Sequence, residues 1–590
     1  MEAEARSGAL MSQAGEAGPT RVVILGGGPA GCAAAYWLSR PEQQGKYQVT
    51  LYSQGWRLGG KCASGRSAAD GQRNEEHGLH MLMGCYWNAF ATMRACYLDW
   101  RALKRDPQNP FQTWKDAFLG QYLVSMMSLD GPGSPPTWSP WDFPFPPMPG
   151  EPGDGPLVPG SDDSQTPPSD DAMIIRLADL LDTHIPAAAP YKPALSAATT
   201  LVRSVFLTDT PNVASAKQAL VEAADQIHKA MAGGIAGDAH SQTEERLAIL
   251  ADIGAAVTLG YLSDIYDKGP NAWNLLNQQD FRAWLGSNGA AEVALASAPI
   301  DAFYDLTFAA INGREIGLGQ GSLAAGVSLR AQMEIVLGYA DAPLFKMAAG
   351  MGDTVFTPFW DVLSARGVDI RLFSHASTVT PSADGRQVAK IVILTQAVTV
   401  DGSPYRPFRR VKNLDCWPSV PDWSQLKNGP ALKAAHVDFE SSYCEVTVGD
   451  PTILAAGQDF DVAIVATPPQ VLDRVAPALA KASPAWATAL SESASVATQS
   501  LQLWMTQSLT DLGWTRGPTV LTAFEEPYDS WGDMSQTLAL EAWPGPTVPA
   551  SIAYFCGCLG AQMDPPVSPS EMKALATAAA SQWMRANLPT

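Results

Sequence analysis

The run Arg21-Val-Val-Ile-Leu25 passes directly into Gly26-Gly-Gly28-Pro-Ala-Gly31 and then into the small, helix-forming stretch Cys32-Ala-Ala-Ala-Tyr36. A buried-strand pattern, a G-x-G-x-x-G turn and a helix, in that order, predict a strand–turn–helix unit able to cradle a dinucleotide. Gly26 permits the tight turn, Gly28 lets a pyrophosphate approach the backbone, and Gly31 lets the helix pack closely on the strand. Pro29, followed by Ala30, suits the first helical turn, where a missing N–H costs nothing. The helix start offers N–H groups and a positive dipole end to the phosphates.

Tyr47-Gln-Val-Thr-Leu51-Tyr52 reads as a second strand. At its end a carboxylate usually accepts from the ribose hydroxyls. Here Ser53 or Gln54 takes that place, each able to hydrogen-bond a ribose more weakly than a charged acceptor. Next come Arg57-Leu-Gly59-Gly60-Lys61, then Glu75-Glu76-His77-Gly78-Leu79-His80 and Gly84-Cys85-Tyr86-Trp87-Asn88. Much later, Ala349-Gly350-Met351-Gly352-Asp353 precedes an amphipathic helix and a strand over Val368–Phe373, and Asp461-Val-Ala-Ile-Val465-Ala-Thr-Pro468-Pro469 reads as a strand buried on both faces.

These blocks, in this order, resemble those of FAD-dependent amine oxidases and carotenoid (phytoene and zeta-carotene) desaturases. The resemblance implies an α/β fold: a Rossmann-like FAD-binding domain, a discontinuous substrate domain and a helical insertion. It implies FAD held by Gly26, Gly28, Pro29, Ala30, Gly31, Ser53, Gln54, Arg57, Gly59, Gly60 and Lys61. It sets Glu76, His77 and His80 beside the flavin as the candidate catalytic residues. A histidine there could polarise the ring or help deprotonate a substrate; equally, His77 and His80 could serve only to hydrogen-bond the turn's backbone. The implied reaction is hydride removal from a small, bulky apolar substrate, isoprenoid or polyene-like, to flavin N5, with electrons leaving to oxygen or a quinone-like acceptor. An amine oxidase and a non-catalytic or truncated nucleotide-binding protein stand as alternatives. After Pro469 no strand with Gly-Asp and a small-residue helix follows, so the ending reads as incomplete, with weak flavin retention and pairing with another chain as its consequences.

Composition narrows the partners. With 39 basic and 59 acidic residues the formal net charge is −20, which argues against nucleic acid and against electrostatic docking to anionic lipid. No uninterrupted apolar run reaches membrane-spanning length; peripheral membrane contact stays open. The eight cysteines follow no disulfide framework, and the seven histidines show no metal-ligand spacing, so no metal site is expected. Residues 1–19 lack the features of a secretory signal and read as a disordered leader, which makes a cytoplasmic chain the expectation.

Along the chain, residues 20–130 read as the N-terminal FAD-binding segment and 131–171, dense in Pro, Gly, Ser and Asp, as a long loop or lid pinned by aromatics. Residues 172–345 read as a mostly helical substrate or cap region, 346–475 as a return to the flavin domain and a substrate sheet, and 476–590 as a continuation of the substrate domain. Gly319-Gln-Gly321-Ser-Leu-Ala324 matches a second glycine-rich motif, but the polar Asn312-Gly-Arg-Glu315 before it is no buried strand, which leaves a single nucleotide site.

Overall fold

The structure, a computed structural model, describes residues 18–104, 106–129, 138–154, 168–234, 242–309, 322–493, 495–559 and 568–587. Thr20–Leu25 forms the first strand, with Ile24 and Leu25 fully buried. It pairs in parallel with Tyr47–Tyr52 on one side and Val462–Val465 on the other, Val22 lying opposite both Val49 and Val462. Asp369–Arg371 completes the sheet in the order Asp369–Arg371, Tyr47–Tyr52, Thr20–Leu25, Val462–Val465. Helix Pro29–Leu38 crosses over one face and buries Gly31, Cys32, Ala35 and Tyr36. Small residues on that helix allow the close approach, and the result is a Rossmann-like parallel sheet in a mixed α/β protein.

Val462–Val465 lies at the edge of this sheet, with Val462 43% exposed. Both of its faces still meet apolar clusters, Ile464 on one side and Ala463 and Val465 on the other, though these side chains are only partly buried.

A six-stranded sheet forms the second layer, ordered Thr498–Met505, Ser551–Cys558, Ser530–Asp533, Val520–Thr522, Leu123–Leu129, Trp138–Pro144. Its last strand falls where the sequence predicts a loop. Trp138–Pro144 pairs antiparallel with Leu123–Leu129 over seven positions, Trp141 opposite Met126. Pro140 and Pro144 are tolerated because this is an edge strand, where a missing N–H breaks no ladder bond on the free side.

The helical insertion comprises Asp170–His184, Lys192–Leu207, Val213–Gly234 and Gln242–Gly260, then shorter helices ending in Ala325–Leu337. Its core is Ala-, Leu- and Ile-rich, which lets helices approach closely. The span Gln242–Ile265 is long and apolar enough to cross a membrane, yet 72% of its most apolar window is buried inside the protein. It also carries Asp252, fully buried, which accepts from Ala291 N at 2.8 Å and pairs with His228 Nε2 at 2.7 Å. The Gly319–Gly321 segment lies outside the described residues.

Candidate functional site: a dinucleotide cleft

The turn after the first strand is shaped by three distinct steric demands. Gly26 sits at φ +118°, and a Cβ there would lie 2.5 Å from the Ala466 carbonyl oxygen. A Cβ on Gly31 would lie 1.9 Å from the Gly26 oxygen, so the helix packs on the turn only because that side chain is absent. Gly28 differs: a Cβ there would meet nothing nearer than Gly59 O at 3.7 Å. Its missing side chain leaves open space in front of the backbone. No side chain caps helix Pro29–Leu38, so the N–H groups of its first turn face outward, ready for an anion.

That open space belongs to a cleft of about 790 Å³ at the carboxyl ends of the parallel strands, the expected ligand position in such a sheet. Gly26 to Ala30 form its floor, Tyr52, Ser53 and Gln54 one wall, and Ser374 to Ser377 with Thr467 and Pro468 the other. Gly60, Lys61 and His77 also line it, with Lys61 exposed. Gly59 does not line it; its N–H donates to Gly27 O at 2.9 Å, and its φ of +129° is one only glycine adopts without strain. Thr467 Oγ1 on the wall is buried without a hydrogen-bond partner. A buried hydroxyl without a partner and a backbone cradle beside it fit the polar diphosphate of a dinucleotide.

The polar side chains of this wall are already engaged. Gln54 donates its amide to the Glu440 carbonyl and offers Oε1 to His375 Nδ1 at 3.1 Å. Burial, reinforced by Arg474, holds His375 below the ordinary imidazole range, so it stands neutral. Arg57 is 5% exposed and is not a free cation: its Nε and Nη2 each donate to Glu440 at 2.7 Å. Arg474 stacks over Tyr443 at 4.1 Å, donates to Ser442 Oγ at 3.0 Å, and makes no ion pair among the described residues.

The three candidate catalytic residues separate. Only His77 lines the cleft; burial, and secondarily Arg57, push its pKa down. His80 lies behind, with Nδ1 3.6 Å from Glu76 Oε1. Burial disfavours its imidazolium, but Glu76 and the Lys61 backbone outweigh burial and raise its pKa. Glu76 is tied to the main chain, accepting from Met351 N at 2.9 Å.

Residues 24–95 match the NAD(P)-binding Rossmann-like domain family. No curated protein matches this sequence. Among solved structures the chain is similar to an oxidoreductase from Methanosarcina mazei, with 10% identity, a TM-score of 0.46, and coverage of 96% of this chain and 85% of that one. It is also similar to a protein from Exiguobacterium sp. 255-15 provisionally assigned as a protoporphyrinogen oxidase, with 14% identity, a TM-score of 0.39, and coverage of 96% and 83%.

The Rossmann-like domain is closed by segments far outside residues 24–95. The Gly350-Met351-Gly352 block lays its N–H groups on the hairpin of Ser64–Ser67 and Arg73–Glu76: Gly350 N on Asn74 Oδ1 at 3.1 Å, Met351 N on Glu76, Gly352 N on Ser64 Oγ at 2.7 Å. A Cβ on Gly350 would lie 2.4 Å from Ser64 Oγ, which accounts for glycine there. Asp353 then meets Arg66 at 2.7 Å with side-chain exposures of 2% and 0%.

Sequence reasoning missed Glu440, His375 and Arg474, which sit in no motif. Thr467 was within reach, since it lies inside the Asp461–Pro469 block.

Proposed function

We propose that this chain is an FAD-dependent oxidoreductase of the amine oxidase and carotenoid desaturase type, acting on a bulky apolar substrate. The observation that carries the reading is the cradle at Gly28: open backbone, an uncapped helix start and the unpartnered Thr467 hydroxyl in one cleft. The backbone from Gly26 to Ala30, with Ser53, Thr467 and Lys61, would hold the dinucleotide. When bound, FAD supplies a two-electron acceptor that the side chains here cannot. His77, neutral and at the cleft wall, is the group that could hold or move a proton there. Glu76 and His80 act behind it as positioning residues, through the Met351 N–H and the Lys61 backbone.

Support for an apolar substrate comes from the helical insertion, which meets the six-stranded sheet around a second cavity of about 1040 Å³. The sheet wall of that cavity is the Leu123–Leu129 and Trp138–Pro144 side of the six-stranded sheet, through Met126 and Trp141 to Pro144, and not a sheet within residues 346–475, where the sequence places the substrate sheet. Oxygen or a quinone-like compound would take the electrons.

The test is the visible spectrum of the purified protein after incubation with FAD and desalting. Retained absorbance of oxidised flavin, bleached anaerobically by substrate and restored by oxygen or a quinone, is the expected result. Binding of NADPH in preference to FAD would overturn the reading.

A further inference from the structure

We propose that the 1040 Å³ cavity takes a long apolar molecule ended by a carboxylate, with Arg176 as its counter-ion. The inference deepens the substrate half of the function proposed above and rests on that reading for the cavity's role. The cavity lies between the edge strand Trp138–Pro144 and helices Asp170–His184, Gln242–Gly260 and Ala325–Leu337. Phe143, Phe145, Leu250, Val257, Phe303 and Val336 supply apolar wall, and the volume stands at the upper end of ligand pockets, about 300–1,000 Å³.

One guanidinium in this wall, that of Arg176, stands without a counter-ion among the described residues. Three arginines and two aspartates line it. Asp142 is held by Arg516, and Asp179 by Arg203 at 2.7 Å. Arg246 is fixed against Pro140 O at 2.9 Å and over the Trp141 ring at 5.2 Å. Arg176 donates to the Leu337 carbonyl and makes no ion pair among the described residues. A pure hydrocarbon filling the cavity would strip water from this guanidinium and give nothing back, whereas a carboxylate can accept two of its N–H groups. The wall also leads toward the cleft: Phe145 packs in one apolar cluster with Leu79, Met81 and Met83, which follow His77 in the chain.

The experiment measures binding on the full chain without flavin, so its failure is distinguishable from failure of the flavin assignment. Cis-parinaric acid is the fluorescent probe; oleate and oleyl alcohol, below their aggregation limits, are the competitors. Oleate is expected to displace the probe at a concentration at least about tenfold lower than oleyl alcohol does, the difference of one charge-assisted contact. Arg176→Gln should abolish that preference while leaving the alcohol's affinity as it was, and Val336→Trp, which fills the cavity, should weaken both competitors. Equal displacement by the two in the wild type, a preference that survives Arg176→Gln, or wild-type binding by Val336→Trp would overturn the proposal.

Discussion

Arg57 and Glu440, 383 residues apart, meet through two parallel 2.7 Å hydrogen bonds on the rim of the dinucleotide cleft. Arg57 comes from the glycine-rich stretch after the second strand, and Glu440 from a loop that no motif marks. The bidentate geometry fixes both side chains and brings a carboxylate to the end of the second strand, where the chain itself offers only Ser53 and Gln54.

Removing Glu440 leaves a nearly buried guanidinium without its partner. Glu440→Ala should destabilise the fold by about 2–4 kcal/mol, a little below the range for fully buried pairs because Glu440 retains 23% exposure. Glu440→Gln, which keeps one acceptor, should cost less. Urea denaturation of the two variants checks the order; equal stability of Glu440→Ala and wild type would contradict it.

Gly28 and Gly31 should separate binding from folding. Gly28→Val puts a branched side chain into open cleft space, so the variant should fold and melt close to flavin-free wild type but hold no dinucleotide. Gly31→Ala meets Gly26 O at 1.9 Å and should lower stability outright. Thermal melts and flavin retention, measured side by side, read the two effects.

The Arg66–Asp353 pair is the most deeply buried ion pair among the described residues, at 0% and 2% exposure. Asp353→Ala strands Arg66 and should cost about 3–5 kcal/mol. Replacing both, as Arg66→Met with Asp353→Leu, should recover much of that loss. A double-mutant cycle by denaturation checks this, and additive losses would show that the two side chains act independently.

The His80 pair gives a pH dependence with a definite sign. Its folded pKa stands above the ordinary 6.5, burial being outweighed by Glu76 and the Lys61 backbone. Its stabilisation is therefore fully present below 6.5 and is lost as the pH rises through the higher folded value. Glu76→Gln keeps an acceptor for Met351 N but removes the charge, so stability measured between about pH 5.5 and 8 should flatten in that variant. An NMR titration placing the His80 imidazole below its ordinary value would refute the assignment.

Legibility followed locality. The strand, the glycine turn and helix Pro29–Leu38 were readable because each is specified by neighbours within a few residues. The Gly350–Asp353 block was readable as a motif, but its reason, three N–H groups on one hairpin, needed the fold. Trp138–Pro144 was misread because its prolines mark a loop unless the strand is known to lie at an edge; Val462–Val465 was readable as a strand, but not its place at the edge, because an apolar run does not reveal how many neighbours it will have. Glu440, His375 and Arg474 carried no local signal, since a cleft wall assembled across hundreds of residues has no spacing to recognise.

The strands of the nucleotide sheet come from residues 20–25, 47–52, 369–371 and 462–465. Its cleft therefore cannot exist until the chain has closed loops of several hundred residues, a topology of high contact order in which late pairing is slow. The amino-terminal segment leaving the ribosome carries the glycine turn but not its opposite wall, and must wait through most of translation for Ser374, Thr467 and Arg474. A dinucleotide that bound only the finished cleft would then join strands already paired, adding its binding energy to the folded state without guiding the pairing that forms it.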